Sequence, residues 1–485
     1  MGKEEYKEVM NRMKAATGTR VLLFVAVMTG FLIWLCEFPA TLRAEERSLP
    51  EAYNIGSITV MSPQPGVEIT TDKTIIRMED FKKPGEVRTL TDVLTEIGGI
   101  DVQRSNPLMA GPGDEVSIRG LNEGRMVIEI DGRRVNHTGH YGRYIVDWST
   151  LNMDDVDHIE IIRGGHSVLH PFAIGGVINI VTKKGKKTPG KEAKARVNAG
   201  YGKYNTWNTS ASVSGGAWDL VGFNFSGSKQ ETDGYLRNNF QETDSINAHL
   251  TFFLPGDSTL ELGVKRSEVL YGLPVINDPA RADYDSDYPT YFAGRDQLRH
   301  LDWPQFPGPN IPQWEKDTTY LDAILSIPTG MGMAKVHYFE TVGRRWTDLY
   351  NAAGAFERDV FVDDRTQGVI AEYRDIDIFD GHRITAGLEW QELGWPASDP
   401  IIYKVQSAYV QDVISVGERW KFTPGVRYYH VNMDTYYAKF GAGWPVEGKQ
   451  QTESGYYPSL KIDFQADPDT AFYAAVSRSY RLPCP

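Results

Sequence analysis

From about Ala193 onward the chain alternates apolar and polar residues with a period of two. Val221, Phe223 and Phe225 interleave with Gly222, Asn224 and Ser226. Ala248, Leu250 and Phe252 interleave with Asn247, His249 and Thr251, and Leu260, Leu262 and Val264 with Glu261, Gly263 and Lys265. Each run predicts a strand with one apolar and one polar face. Short connections are predicted near Gly215-Gly216, Pro255-Gly256, Gly330 to Gly332, Asp380-Gly381, Gly417-Glu418 and Asp467 to Asp469. Longer polar connections fall between them, at about 228–240, 270–318, 343–364, 393–404 and 430–455. A regular short–long alternation is the pattern of an antiparallel transmembrane β-barrel, whose apolar face meets lipid and whose polar face lines the lumen. About 13 strands are predicted.

The first half reads differently. Leu90, Val93, Leu94 and Ile97 fall at helical spacing, with Thr89 or Thr91 as the cap and Gly98 as the stop. Short strands follow at Ile100 to Gln103, Glu115 to Ile118, Met126 to Ile130, His158 to Ile162 and Val177 to Thr182. This is a small α+β domain. Ahead of it, Lys3, Lys7, Arg12, Lys14 and Arg20 lead into the apolar run Val21 to Cys36, followed by Ala40 and Ala44. The run is short for a spanning helix and reads as a signal peptide over residues 1–44. No later segment is apolar enough to span as a helix, so any membrane crossing must use a closed barrel.

Composition narrows the function classes. The net charge of −13 argues against a nucleic-acid partner. The 25 Tyr and 11 Trp suit rings at two membrane interfaces. Removal of the leader would leave Cys484 without a disulfide partner. Enzyme motifs fail: Gly165-His166-Ser167-Val168-Leu169 lacks the second Gly of a nucleophile elbow, and Gly200-Tyr201-Gly202 opens no dinucleotide loop. A non-enzyme without a cofactor is expected.

Between Leu90 and Lys184 four motifs stand in order: Ile118-Arg119-Gly120, Ile130-Asp131-Gly132-Arg133, Ile159-Glu160-Ile161-Ile162-Arg163-Gly164, and Gly175-Gly176-Val177-Ile178-Asn179-Ile180-Val181-Thr182-Lys183. This set resembles the plug domain of TonB-dependent outer-membrane receptors. The resemblance implies a signal peptide (1–44), a flexible segment with a TonB box (45–66), a plug (67–187) and the N-terminal part of a barrel (192–485). The family's barrels have about 22 strands. Val476-Ser477-Arg478-Ser479-Tyr480-Arg481-Leu482-Pro483 resembles a motif from the middle of such barrels. An incomplete barrel is therefore expected, with a continuation of roughly 200 residues downstream.

The resemblance also assigns roles. Ser57, Ile58, Thr59, Val60, Met61 and Ser62 are similar to a TonB box, a β-prone segment able to join a partner's sheet by strand addition. Arg119 and Arg163 would lock the plug by pairing with barrel glutamates. Two plug segments, Gln103 to Asp114 and Asn136 to Trp148, would face outward and touch the ligand through Arg104, Asn106, Met109, His137, His140, Tyr141, Arg143 and Tyr144. Arg and His suit an anionic ferric chelate, and aromatic rings pack on its rings. His170-Pro171 departs from the family's usual Tyr-Gly, and Pro lacks a donor, so this turn must be built differently. Asp283, Asp285 and Asp287, with Asp278 nearby, form a weak calcium candidate for which an acidic outer loop is the stronger reading.

The expected function is energised import of a scarce nutrient by a monomer in the outer membrane of a Gram-negative cell. Its partners would be outer-membrane lipid, TonB with its inner-membrane energising complex, and a small-molecule ligand. A ferric siderophore is the first choice and cobalamin the second. A passive porin-like channel or adhesin, and a secreted soluble β-protein, are the rival classes.

Overall fold

The computed structural model describes residues 59–61, 66–70, 73–82, 86–104, 108–111, 114–138, 144–165, 167–282, 284–292, 312–350, 356–377, 379–395, 401–435, 450–467 and 470–482. The expected signal peptide lies outside these residues.

The N-terminal domain is built on a seven-stranded sheet. Its strands are β1 (Thr59–Met61), β2 (Val67–Thr70), β3 (Thr74–Arg77), β7 (Val127–Ile130), β8 (Arg133–Arg134), β11 (Val156–Arg163) and β12 (Gly176–Thr182), in the order β1-β2-β3-β11-β12-β7-β8. The β12–β7 pair is parallel and every other pair antiparallel. Strands β4 (Ile100–Gln103), β5 (Glu115–Ile118) and β6 (Leu121–Asn122) make a second sheet, and β9 (His137–Thr138) pairs with β10 (Tyr144–Ile145). The predicted helix is α1 (Leu90–Thr95). A capping box starts it: Asp92 N donates to Thr89 Oγ1, and Thr89 N donates to Asp92 Oδ2 at 2.7 Å. It ends sooner than Gly98, at the cap residue Glu96. Ile76, Leu90, Val93, Leu94, Ile128, Ile159, Ile161, Ile178 and Trp148 fill an apolar core. Asp131-Gly132 makes a tight turn, with both residues at positive φ.

The second half is one antiparallel sheet of 13 strands in chain order. They are β13 (Lys191–Gly202), β14 (Thr206–Ala217), β15 (Val221–Thr232), β16 (Gln241–Phe253), β17 (Thr259–Gly272), β18 (Gln313–Thr329), β19 (Gly332–Tyr350), β20 (Phe356–Ile376), β21 (His382–Trp395), β22 (Ile401–Val416), β23 (Trp420–Thr435), β24 (Gln450–Asp467) and β25 (Thr470–Ser477). Among the described residues no pairing joins β13 to β25. No helix among them is long and apolar enough to cross a membrane.

The connections fall in the predicted order, with three corrections, one being the long connection expected at 393–404, where β21 runs to Trp395 and β22 starts at Ile401. The polar stretch 343–364 is mostly strand: β19 runs to Tyr350 and β20 starts at Phe356. Its charges lie on both faces of the strands: Arg345 and Asp364 turn to the inner face, Arg344 and Asp348 to the other, and all four are buried, so composition mimicked a loop. Gly215-Gly216 is not a turn but lies inside β14, and the chain reverses at Trp218–Leu220. These glycines admit a close crossing: a Cβ at Gly215 would lie 1.9 Å from the Glu192 carbonyl, and one at Gly216 would lie 2.3 Å from that of Lys186.

The N-terminal domain contacts the polar face of this sheet from β13 (Arg196–Glu79) to β23 (Arg427–Val168). Ten strand spacings laid flat would cover about 48 Å, too wide for a small domain to bridge. The sheet therefore curves around the domain as a wall. On β15 the polar positions Gly222 and Asn224 are buried, while Val221, Phe223 and Phe225 face outward.

Candidate functional site

The interface between domain and wall is polar and largely buried. Arg133 of β8 is fully buried. Its Nε lies 2.8 Å from Asp322 of β18, its Nη1 donates to Thr341 of β19 at 2.6 Å, and its guanidinium lies over the Tyr320 ring. His337 approaches the same Asp322 at 2.9 Å. Asp147 pairs with Lys316 of β18 at 2.8 Å, and Asp155 with Lys265 of β17 at 3.2 Å. Lys184 pairs with Glu261. On the far side Arg427 of β23, itself paired with Glu389, donates to the carbonyls of Val168 (2.7 Å) and Leu169 (3.1 Å). Phe172 N donates to Tyr429 at 3.0 Å, and the two rings stack at 4.9 Å. Charges buried this deeply persist only when paired, so these contacts fix the domain's register inside the wall.

The altered turn at His170-Pro171 belongs to this anchor. The His170 ring faces Glu129 of β7 at 2.9 Å. Burial lowers the imidazole pKa, but the Glu129 carboxylate outweighs this and holds it above its usual range. In β11, burial acts to raise the Glu160 carboxyl, yet His158 and Lys73 overcome it and hold the pKa at about 2. Glu123 shows the opposite balance: burial pushes its carboxyl up to about 8, against N–H donors from Trp148, Val116 and Val146.

The sequence-assigned residues are placed as follows. Thr59–Met61 form β1, the edge strand of the domain's sheet, with Val60 opposite Ile69. This corrects the expectation of a free extended segment for those three residues; Ser57, Ile58 and Ser62 lie outside the described residues. Arg163 donates to Thr74 Oγ1 (2.6 Å) and to the Gly98 carbonyl (3.1 Å). Arg119 is exposed at a turn with φ of 51°. Among the described residues neither meets a wall carboxylate, and the plug–wall ion pairs there are made by Arg133, Asp147, Asp155 and Lys184. No motif marks these as a set; only Arg133, next to the Asp-Gly turn, stood in one.

Two outward candidates are corrected. Met109 is 1% exposed, and Arg104 is held by Asp92 at 2.6 Å, so neither offers a free side chain to a ligand. The segment itself lies at the long-loop end, where Gln241 at the start of β16 donates to the Ala110 carbonyl at 2.8 Å. Asn106, His140, Tyr141 and Arg143, and the side chains of His137 and Tyr144, lie outside the described residues. In the calcium candidate Asp285 Oδ1 accepts from Asp287 N, and Asp278 Oδ1 from Ala280 N. These carboxylates close turns, Asp283 lies outside the described residues, and no acidic or His cluster among those described could hold a metal.

A curved wall with its polar face inward, filled by a separate domain, defines a plugged barrel. Residues 65–177 match the TonB-dependent receptor plug domain, and residues 185–483 match the TonB-dependent receptor-like β-barrel. The chain belongs to the TonB-dependent receptors, a family of outer-membrane proteins of Gram-negative bacteria and not of enzymes.

Solved structures share the fold. The ferric citrate transporter FecA is 18% identical (TM-score 0.65), with 84% of this chain and 62% of that one covered. The copper transporter OprC is 13% identical (TM-score 0.67; 88% and 64% covered). The FrpB iron transporter from Neisseria meningitidis is 14% identical (TM-score 0.67; 85% and 64% covered). The chain thus spans a little under two thirds of the length of each.

Proposed function

We propose that this receptor imports a ferric siderophore across the outer membrane, working as a monomer driven by TonB and the inner-membrane proton gradient. The observation that carries this reading is the buried set of plug–wall ion pairs around Arg133, Asp147 and Asp155. A passive pore has no use for a plug so held, whereas a gated importer must hold it until work is done. The names of FecA and FrpB support iron as cargo. Asn106, His137, His140, Tyr141, Arg143 and Tyr144 are the proposed ligand contacts on the outward plug segments. Ser57–Ser62 is the proposed TonB box, and coupling requires β1 either to leave β2 or to offer its free edge.

The test is uptake. Val60→Pro removes a backbone donor. In cells expressing the receptor, uptake from a panel of labelled ferric chelates and cobalamin should fall to background. Binding of the same probe should persist. Uptake unchanged by the substitution would overturn TonB coupling, and uptake of cobalamin alone would replace the cargo.

A further inference from the structure

Glu123 belongs to none of the plug motifs and its hydrogen bonds among the described residues all stay within the plug, where it is the meeting point of both outward plug segments. Its carboxyl group takes three N–H donors. Oε1 accepts from Val116 N at 3.0 Å and from the Trp148 indole at 2.7 Å, and Oε2 accepts from Val146 N at 2.9 Å. Val116 stands where the first segment re-enters the plug, and Val146 and Trp148 stand where the second does. The backbone carbonyl of Glu123 accepts from Asn136 Nδ2 at 3.1 Å, where the second segment leaves. Asn136 Oδ1 in turn accepts from Ile128 N at 2.6 Å, tying that exit to β7. Glu123, Val116, Asn136, Val146 and Trp148 are all buried.

The joint leads on to the wall. Beside Trp148, Asp147 pairs with Lys316 and Thr150 meets the Tyr320 hydroxyl at 3.0 Å. The Thr150 carbonyl accepts from Ser267 at 3.3 Å. A shift of the second segment thus has a short polar route to β17 and β18, and Glu123 links that route by hydrogen bonds to the first segment. Water cannot substitute readily at a buried site, so a carboxyl oxygen there that loses a donor keeps the full desolvation cost.

We infer that Glu123 is a positioning residue that couples the two outward plug segments, so that displacement of one is passed to the other. The inference rests on the proposed reading of those segments as the ligand-facing surface, but its test needs no ligand.

Hydrogen–deuterium exchange is measured on the whole chain in detergent micelles. Glu123→Ala should raise exchange about tenfold at Val116 and at Val146 together, and leave the β11–β12 pair protected. Glu123→Gln, which keeps one carbonyl oxygen for Val116 and Trp148, should restore most of the protection at Val116. Trp148→Phe removes one donor from the second segment alone and should raise exchange at Val116 in the first. This last variant decides the matter if Glu123→Ala unfolds the plug. An unchanged Val116 amide in Trp148→Phe, or loosening of only one segment in Glu123→Ala, overturns the coupling. Neither outcome bears on cargo uptake, so the receptor reading stands or falls separately.

Discussion

In the plug, Ile159 and Ile161 of β11 are fully buried in an apolar core. On β16 of the wall, Ile246 is 64% exposed while its neighbour Ser245 is buried. Both strands alternate apolar and polar residues, but they bury opposite faces. The plug must hide its apolar face from water. The wall turns its apolar face outward, to where a barrel meets lipid, and closes its polar face over the plug. The same local pattern serves two solvents, and the buried polar contacts between the regions are what the wall gains from being inverted.

The comparison can be broken at its seam. Arg133→Ala takes the guanidinium from the half-buried Asp322 and leaves it His337 as its near neighbour, and should loosen the plug by up to about 3 kcal/mol. Limited proteolysis should then cleave the plug while the barrel stays intact. Arg133→Met with Asp322→Leu should recover much of the loss, because it removes both charges together.

A charge on the outer face tests the inversion directly. Ile246→Lys should destabilise the inserted barrel by about 2–4 kcal/mol near the bilayer midplane. Ser245→Ala, one residue away on the inner face, should cost far less. Reversible unfolding from lipid bilayers reads both. Equal costs would mean that β16 does not face lipid.

Acid–base behaviour should separate the plug from the wall. Glu123, with its pKa raised from 4.5 to about 8, makes the folded plug bind more protons than the unfolded chain between those values. Its contribution to stability therefore declines as pH rises from about 4.5 to about 8. His158, raised above its usual value by Glu160, acts in the same direction: its contribution is present below 6.5 and is lost as pH rises through its folded value. Glu160, depressed to about 2, contributes stability above 4.5 that is lost as pH falls toward 2. Plug protection should peak between these windows, and Glu123→Gln should flatten the alkaline limb. Plug protease resistance across pH 3 to 9 checks this.

The smallest effect is local. Thr89→Ala removes the cap of α1 and should cost about 1 kcal/mol. It should appear in the plug's unfolding and not in barrel assembly.

Much of this was legible in one dimension. Period two, helical spacing and turn residues determined the strand count and the capped helix at Leu90, because each depends on neighbours in sequence, while the plugged-barrel class came through the resemblance of the ordered motifs to a known family. Connections were read less well where composition misled: buried charges along β19 and β20 resembled a loop, and Gly215-Gly216 resembled a turn. Tertiary structure alone decided which arginine is buried against the wall, that Met109 is covered and Arg104 taken, and that Glu123 joins two distant segments. Those choices depend on which side chains meet across the lumen and on the cost of leaving a buried charge or donor unpaired. Sequence spacing carries no record of either.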